Sequence, residues 1–539
     1  MCQTPRMDTE ATSTTALASV PELLRRAGVA EPDHIALSEA ATGRALSWSG
    51  LDQLADRVCA ALYASDLVAG QRVLIAMVNR IEFVATYLGI LRAGMVAVPV
   101  NPRSATGELI GIFADSGARL AVCDDTTAAV VRAAATGLAE AMVAAGDSSG
   151  GPQIVVVGAT EAGEREWREF IDAAVPSPPV REDAEGLAVL LYTSGATGKP
   201  RAAMLSHRAL SSNIEQVAGI EPPMIIGQDV VLGVLPLFHV YGLNAVLGQV
   251  LRQHARLVLV DGFDPEGTLD LIEDEAISVL PLAPPVFAYW MQVPGLEDRL
   301  GPVRLVLSGS APLSPELTAA FTDRTGLPIH QGYGLTEAAP VVTWTQGGDA
   351  HDQRSVGAPL PGIELRLLDN DGRAPDEDDG GQIVIRGDNL FSGYWPDGAD
   401  GPDAEGWFAT GDVGYLDDRG ELHLVDRVKD LIIVSGFNVY PIEVEEIIGE
   451  LGDVAGVAVV GIPHEITGEA VVAYVRPAPG VEAEALEEHV REHCARRLAR
   501  FKQPSVVHVV ETLPYTATGK VQKGRLREAE RRRALGLLE

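Results

Sequence analysis

Short unbroken apolar runs alternate with amphipathic stretches along most of this chain, and that alternation constrains its architecture more than any other feature. Residues 51–64 read as an amphipathic helix, 72–77 as a strand, 80–94 as a helix and 95–100 as a strand. Helix and strand resume across 108–123, and 154–157 is another strand. A second series follows, with strands near 231–235, 256–259, 279–282 and 305–308. A strand buried on both faces has no polar side to show, and parallel strands need a covering crossover between them. The pattern predicts an α/β protein whose parallel sheets are covered by helices. From residue 363 the texture changes. Runs 363–368 and 382–387 flank an acidic turn, and 414–417 and 421–425 flank Asp418-Arg-Gly420, which predicts a small antiparallel, barrel-like unit. The expected division is a large N-terminal domain of two α/β subdomains plus the small β-barrel (17–425), a junction at 426–430, and a small α+β C-terminal domain (431–527).

With 539 residues there is ample material for a large core and a second unit. A net charge of −33 argues against nucleic acid as a partner and against a broadly basic membrane-binding face. The charge is uneven: residues 491–539 hold 12 Lys/Arg against 5 Asp/Glu, so a basic end segment follows an acidic body. Such a segment suits contact with phosphates, and a solvated helix surface would look the same. The cysteines Cys2, Cys59, Cys123 and Cys494 have no framework or metal-ligand spacing, and residues 1–20 lack an apolar signal core, so a cytoplasmic location is expected. Residues 230–251 contain only His239 as a group that titrates near neutral pH, but Pro236, Asn244 and three glycines predict a buried strand, loop and helix there. No transmembrane segment is expected, and peripheral contact with lipid stays open.

Five patterns carry chemistry. After the apolar run 187–191 comes Tyr192-Thr-Ser-Gly-Ala-Thr-Gly-Lys-Pro-Arg-Ala202. Glycines let backbone N–H groups approach an anion closely, and hydroxyls and two cations stand beside them, so the loop can wrap phosphate oxygens. It differs from the Walker loop, because Pro200 follows Lys199 and the glycine spacing is short. Alone, it serves equally well as a surface turn. Leu307-Ser-Gly-Ser-Ala-Pro-Leu313 ends a strand before a helix begun by Ser314-Pro315, where ligands of open α/β sheets bind, although an ordinary strand-to-helix turn reads the same way.

Gln331-Gly-Tyr-Gly-Leu-Thr-Glu337 is more specific. Gly332 and Gly334 allow close approach to a flat ligand, Tyr333 can stack on a base, Thr336 offers a hydroxyl to phosphate, and Glu337 is a hard oxygen ligand for Mg²⁺. A glycine turn with a solvated Glu is the competing interpretation. Asp412, at the end of Trp407-Phe-Ala-Thr-Gly-Asp412, and Arg427, in Asp426-Arg-Val-Lys-Asp430, face each other across the predicted hairpin. A carboxylate can take two ribose hydroxyls and a guanidinium can donate beside it, while an exposed ion pair is common too. Last, Leu513-Pro-Tyr-Thr-Ala-Thr-Gly-Lys520 puts Lys520 at the tip of a glycine turn, as a point charge that can reach a reacting phosphate or simply be solvated.

In this order and at these spacings, the patterns resemble the adenylate-forming superfamily of acyl-CoA synthetases, adenylation domains and firefly-type luciferases, over roughly residues 21–527. Ser435-Gly-Phe-Asn-Val-Tyr-Pro441 and Pro236-Leu-Phe-His-Val-Tyr-Gly242 are most similar to fatty-acyl-CoA synthetases. The resemblance implies a ligase that uses ATP, Mg²⁺ and coenzyme A to turn a fatty or other hydrophobic carboxylic acid into acyl-AMP and then acyl-CoA. It implies that Thr193, Ser194, Gly195, Thr197, Gly198, Lys199 and Arg201 hold the β- and γ-phosphates, with Thr197 and Glu337 placing Mg²⁺. Gly309, Ser310, Ala311, Gly332, Tyr333 and Gly334 would hold adenine, and Asp412 with Arg427 the ribose. Lys520, Glu337 and Thr336 become the catalytic residues. His239, Val240, Gly242, Ala338 and Ala339 would line the acyl pocket, His239 as a wall. A mobile C-terminal domain would turn at Lys429, with Ser435, Gly436 and Phe437 lining the pantetheine tunnel and Arg500 and Lys502 meeting the CoA phosphates. The chain departs from the family pattern at Ala196, Arg201 and Ala202, where Thr, Lys and Gly are usual. Ala196 removes one hydroxyl donor to phosphate.

Two other outcomes fit the same residues: a fatty-acyl-AMP ligase that passes its product to an acyl carrier protein, and an inactive member serving as sensor or scaffold. Ala196 alone favours the latter; Lys520, Glu337, Asp412 and Arg427 weigh against it. His489-Val-Arg-Glu-His493 has inverted zinc-protease spacing, but it lies in a strongly charged stretch, and a solvated helix is expected there.

Overall fold

The computed structural model describes all residues except 1–17, 147–149, 173–182, 195–199, 312, 346–353, 370–371, 376–379, 428–429, 431, 435–436, 465–467, 499, 517–518 and 535–539, with backbone alone at 194, 426–427, 433, 437–438, 468 and 534. Two seven-stranded sheets form the large N-terminal domain. In the first, the spatial order is Arg165–Glu166, Gln153–Val157, Leu120–Asp124, Arg72–Ala76, Val96–Pro99, Leu187–Ser194 and Pro200–Ser206. In the second it is Ile329–Gln331, Leu305–Ser308, Val279–Leu282, Val230–Gly233, Arg256–Leu259, Ile35–Glu39 and Ala45–Ser47. Each sheet is parallel until its last pair, which is antiparallel. The first five strands of both orders follow the same winding, so the chain repeats one topology twice without any repeat visible in its residues.

The expected runs are strands because both their faces are covered. Val279–Leu282 is buried at all four positions, as is Val96–Pro99. The helix Ile81–Arg92 is buried at every position from Ile81 to Leu91, and one apolar core runs from it into both sheets. Helix starts follow their caps: Ser206 and Ser314 accept hydrogen bonds from the backbone N–H groups of Ala209 and Leu317 at 3.1 and 3.2 Å. Asn79 joins the two sheets. Its Nδ2 donates to the carbonyls of Gly233 and Leu235 at 3.0 and 2.8 Å, and its Oδ1 accepts from Leu237 N at 2.9 Å, which fixes the loop leading to His239.

The expected barrel-like unit is a four-stranded antiparallel sheet in the order Glu364–Leu368, Gly381–Arg386, Phe408–Leu416, Leu422–Arg427. Among the described residues its two outer strands do not pair with each other; the Leu422–Arg427 edge is instead met by residues 355–357, so closure into a barrel is not what holds it. The smaller C-terminal domain has a five-stranded sheet running from Ile432–Val434 to Val506–Val509 and two apolar cores of its own. Its last helix, Lys523–Ala534, is fastened to the start of the domain by two ion pairs. Arg527 pairs with buried Asp430, and Lys523 with Glu445 at 2.8 Å. No helix among the described residues is long and apolar enough to cross a membrane.

Candidate active site

Residues 309–311 and 332–337 follow the carboxyl ends of parallel strands, where an open α/β sheet leaves backbone groups unpaired, while Asp412 and Arg427 lie on antiparallel strands and Lys520 on a turn of the C-terminal domain. The phosphate-loop candidate joins two antiparallel strands, Leu187–Ser194 and Pro200–Ser206, with Thr193 opposite Arg201 in the register. Thr193 Oγ1 donates to the Arg201 carbonyl at 3.4 Å. Gly195, Thr197, Gly198 and Lys199 lie outside the described residues, as does the side chain of Ser194. Arg201 is placed differently from the expectation. Its guanidinium stacks 3.8 Å from the ring centroid of Tyr394 and pairs with Asp400 at 2.7 Å. A planar cation can use an aromatic face and a carboxylate together, which the lysine usual in the family would do less well.

Gly309 follows the strand Leu305–Ser308, and a Cβ there would lie 2.8 Å from Tyr241 Cε1, so only glycine fits against that ring. Ser310 has φ of 73°, a left-handed conformation that costs a non-glycine residue about 1 kcal/mol or more and clusters at ligand-binding turns. Ala311 continues the turn. Gly332 and Gly334 are required by the chain itself. A Cβ on Gly332 would lie 2.8 Å from the Thr343 carbonyl, and one on Gly334 2.4 Å from the Pro340 carbonyl. Close approach therefore operates here between two segments of the protein, rather than only towards a ligand as the sequence reading had it.

Tyr333 is buried, and its hydroxyl donates to Asp412 Oδ2 at 2.6 Å. Asp412 pairs in register with Arg427 across the hairpin, so the two ends of the expected ribose pair stand opposite each other in the backbone. Thr336 opens a 3₁₀ turn, Thr336–Ala338, and Glu337 projects from it. One carboxylate oxygen of Glu337 accepts the Tyr394 hydroxyl at 2.5 Å. Burial, then the Glu337 carboxylate, push the Tyr394 hydroxyl well above its ordinary value, so it remains a donor. Mg²⁺ is ordinarily carried by one or two carboxylates together with nucleotide phosphates rather than by an all-protein cage. Glu337 stands alone in that way: among the described residues no trio of His, Cys, Asp or Glu could close around a metal. The donor set fits a nucleotide-borne Mg²⁺.

His239 is half-buried at the end of the loop held by Asn79, and its Nδ1 accepts the Tyr241 backbone N–H at 3.3 Å. Burial, and secondly the charge of Lys520, push its pKa down to about 4, so the ring is neutral at pH 7. Tyr241 opens a π-helical turn, Tyr241–Val246. The other expected pocket residues are sealed. Val240 is 2 % exposed, Ala338 and Ala339 are 0 % exposed, and Gly242 is buried with its Cβ position 2.4 Å from the Pro236 carbonyl. Asn389 and Asn244 explain the closure at the alanines. Their Nδ2 groups donate to the carbonyls of Ala338 and Ala339, both at 2.7 Å, and draw that turn into the core. In this arrangement only His239 of the five offers surface to a ligand.

Lys520 reaches the site from the C-terminal domain. Its turn is closed by Thr516 N donating to the Lys520 carbonyl at 2.7 Å and by Lys520 N donating to Thr516 Oγ1 at 3.0 Å. A Cβ on Gly519 would lie 2.7 Å from Pro285 Cγ, at the start of the large-domain helix Pro284–Trp290, so the turn is seated on that domain beside His239. Lys429, Ser435 and Gly436 lie outside the described residues, as does the Phe437 side chain. Lys502, expected to meet CoA, is instead held by both oxygens of Glu443, in the helix Pro441–Gly449, at 2.6 and 2.7 Å; Arg500 is exposed. His489 and His493 are taken by different carboxylates, Asp453 at 3.0 Å and Glu450 at 3.1 Å. Tyr394 and Asn79 were missed in the sequence. The Gly-aromatic turn Ser392-Gly-Tyr-Trp-Pro396 was the available signal for the first, and nothing local marked the second.

Comparison with known proteins identifies the family. The AMP-binding enzyme family model matches residues 24–395, and the AMP-binding enzyme C-terminal domain model matches 443–520. An indoleacetate–CoA ligase of Aromatoleum aromaticum is 34% identical over 492 residues, 90% of this chain and 93% of that protein. A 4-coumarate–CoA ligase-like protein of Oryza sativa is 33% identical over 532 residues, covering 95% and 92%. The long-chain-fatty-acid–CoA ligase FadD13 of Mycobacterium tuberculosis is 31% identical over 510 residues, covering 94% and 97%. ATP-bound MatB from Rhodopseudomonas palustris superposes with a TM-score of 0.85 at 31% identity over 95% of this chain and 99% of that one; its apo form scores 0.73. The chain belongs to the AMP-binding, adenylate-forming enzyme family. Within it, this is an acid–thiol ligase of the AMP-forming type, an acid–CoA ligase that uses ATP, Mg²⁺ and coenzyme A.

Proposed function

We propose that the enzyme activates a hydrophobic carboxylic acid without an amino group, fatty or aryl, and delivers it to CoA. The carrying observation is the loop after Phe238. The resemblance implies that amino-acid-activating members of the superfamily carry an Asp after this Phe to pair with the substrate ammonium, whereas this chain presents His239, kept uncharged by burial. An imidazole of that kind walls an apolar acyl group and gives a cation no partner. The names of the relatives, which include indoleacetate, 4-coumarate and long-chain fatty acid ligases, lend support to the same range.

In the first step the carboxylate attacks the α-phosphate of ATP, pyrophosphate leaves, and acyl-AMP forms. Thr193, Ser194, Gly195, Thr197, Gly198, Lys199 and Arg201 are assigned to the phosphates, with Arg201 exchanging Asp400 for them. Gly309, Ser310, Ala311 and Tyr333 are assigned to adenine, and Asp412 with Arg427 to the ribose. Thr197 and Glu337 are assigned to Mg²⁺, which would neutralise phosphate charge, and Thr336 to the phosphate itself. Lys520 stabilises the charge that develops between carboxylate and α-phosphate, a contribution on the order of 10²–10³-fold. In the second step the CoA thiolate attacks the acyl carbonyl and AMP leaves. For that step the C-terminal domain, taken as 431–527, turns about 426–430 at Lys429, withdraws Lys520 and brings up Ser435, Gly436 and Phe437, with Arg500 towards the CoA phosphates.

Pyrophosphate release over 4-coumarate, indole-3-acetate, octanoate, palmitate and phenylalanine, each with and without CoA, tests the reading. The expected result is turnover of one or more of the first four and a CoA thioester as product. Preference for phenylalanine would refute it.

A further inference from the structure

We propose that Tyr394 is a positioning residue that keeps the metal-side carboxylate Glu337 and the phosphate-side cation Arg201 apart and aimed, so that neither is neutralised by the other before nucleotide arrives. The two opposite charges meet on one phenol. Its hydroxyl donates to Glu337 Oε1 at 2.5 Å, and its ring face carries the Arg201 guanidinium at 3.8 Å. Without that ring between them, Arg201 and Glu337 would be free to form a direct ion pair, occupying the carboxylate that Mg²⁺ needs and the cation that phosphate needs.

The phenol is rigidly placed. Tyr394 N donates to the Ala399 carbonyl at 3.0 Å and Gly398 N donates to the Tyr394 carbonyl at 2.8 Å. Gly393, with φ of 90°, closes this loop so tightly that a Cβ would lie 2.1 Å from the Gly398 carbonyl oxygen. The loop is then stitched to the strand that leaves the phosphate loop: Met204 N donates to the Gly393 carbonyl at 3.0 Å, and Trp395 N to the Ala202 carbonyl at 2.9 Å. On the other side, Phe391 N donates to the Glu337 carbonyl at 2.9 Å. One loop therefore holds the Arg201 strand by its backbone, the Glu337 turn by its backbone, and both charged side chains by Tyr394. Asp400, an exposed carboxylate at its far end, gives Arg201 an ion-pair partner other than Glu337, at 2.7 Å.

The proposal rests on Glu337 serving the metal, and the test separates the two. Mn²⁺ binding in the presence of ATP is measured by electron paramagnetic resonance, and ATP binding in EDTA by calorimetry, for the wild type, Glu337→Gln and Tyr394→Phe. The phenylalanine keeps the ring under Arg201 and removes only the hydroxyl. Partners that orient metal ligands are worth about 10–100-fold in metal affinity, so Tyr394→Phe should weaken Mn²⁺ about 10-fold while metal-free ATP binding stays within about twofold. Unchanged Mn²⁺ affinity overturns the proposal, and so does an equal loss of both, which would mark a structural role alone. If Glu337→Gln itself leaves Mn²⁺ affinity intact, the metal reading of Glu337 fails and takes the proposal with it.

Discussion

Replacing Lys520 with Ala tests the seating of the C-terminal turn and its chemistry in one protein. His239 is drawn from 6.5 to about 4, first by burial and secondly by the Lys520 charge. At 1.36 kcal/mol per pKa unit the whole displacement is about 3 kcal/mol, and the ammonium, as the smaller of the two causes, supplies less than about 2 kcal/mol of it. Lys520→Ala should therefore raise the His239 pKa above 4 while burial still holds it well below 6.5. The same change removes the charge assigned to the transition state and should cut acyl-adenylate formation by at least about 10²-fold. Histidine ring NMR across pH 3–8 follows the first effect, with His239→Asn identifying the resonance, and pyrophosphate release follows the second. A His239 titration unmoved by the substitution would mean that the turn does not rest where Gly519 meets Pro285. A moved titration with normal pyrophosphate release would retain the docking and refute the catalytic role.

Burial holds His239 and His207 below the ordinary 6.5, so below about pH 6.5 the unfolded chain binds protons that the folded one refuses. Stability should fall as pH drops from about 6.5 towards 4, visible as a declining thermal midpoint; a midpoint rising over that interval would contradict the burial argument. Gly309→Ala forces a Cβ to within 2.8 Å of the partly buried Tyr241 ring. A cost of about 1–3 kcal/mol in denaturant melts and a sharp loss of pyrophosphate release are expected, and an unaffected enzyme would show the contact to be soft. Tyr333→Phe leaves buried Asp412 without its 2.6 Å donor. Hydrogen bonds to charged groups contribute about 1.5–3 kcal/mol, so urea unfolding should shift by about that much.

The parallel strands were legible because burial on both faces leaves their interiors apolar, with polar residues such as Arg256 and Ser308 only at the ends: 256–259, 279–282 and 305–308 coincide with strands of the structure. The helix Ala128–Ala144 was not, since its many alanines give neither a clear apolar stripe nor a strong cap. Local motifs disclosed which residues bear chemistry, and the hairpin register that sets Asp412 against Arg427 was readable from the turn between them. What was hidden is contact across the chain. Tyr333 meets Asp412 and Tyr394 meets Glu337 through loops on different sheets, and no spacing along the sequence encodes such meetings. The alanines at 338 and 339 misled for the same reason. Small side chains suggested room, while Asn389 and Asn244, remote in sequence, supply hydrogen bonds that remove it.

The pairing of Asp430 with Arg527 ties the entrance of the C-terminal domain to its closing helix. A lever transmits an angle only if it does not bend, and under the proposed rotation this ion pair, with the domain's private cores, would stiffen the span that ends at the Lys520 turn. Cutting it by Arg527→Ala would loosen the arm at Asp430, where it joins the proposed pivot, and turnover should fall while the large domain keeps its stability.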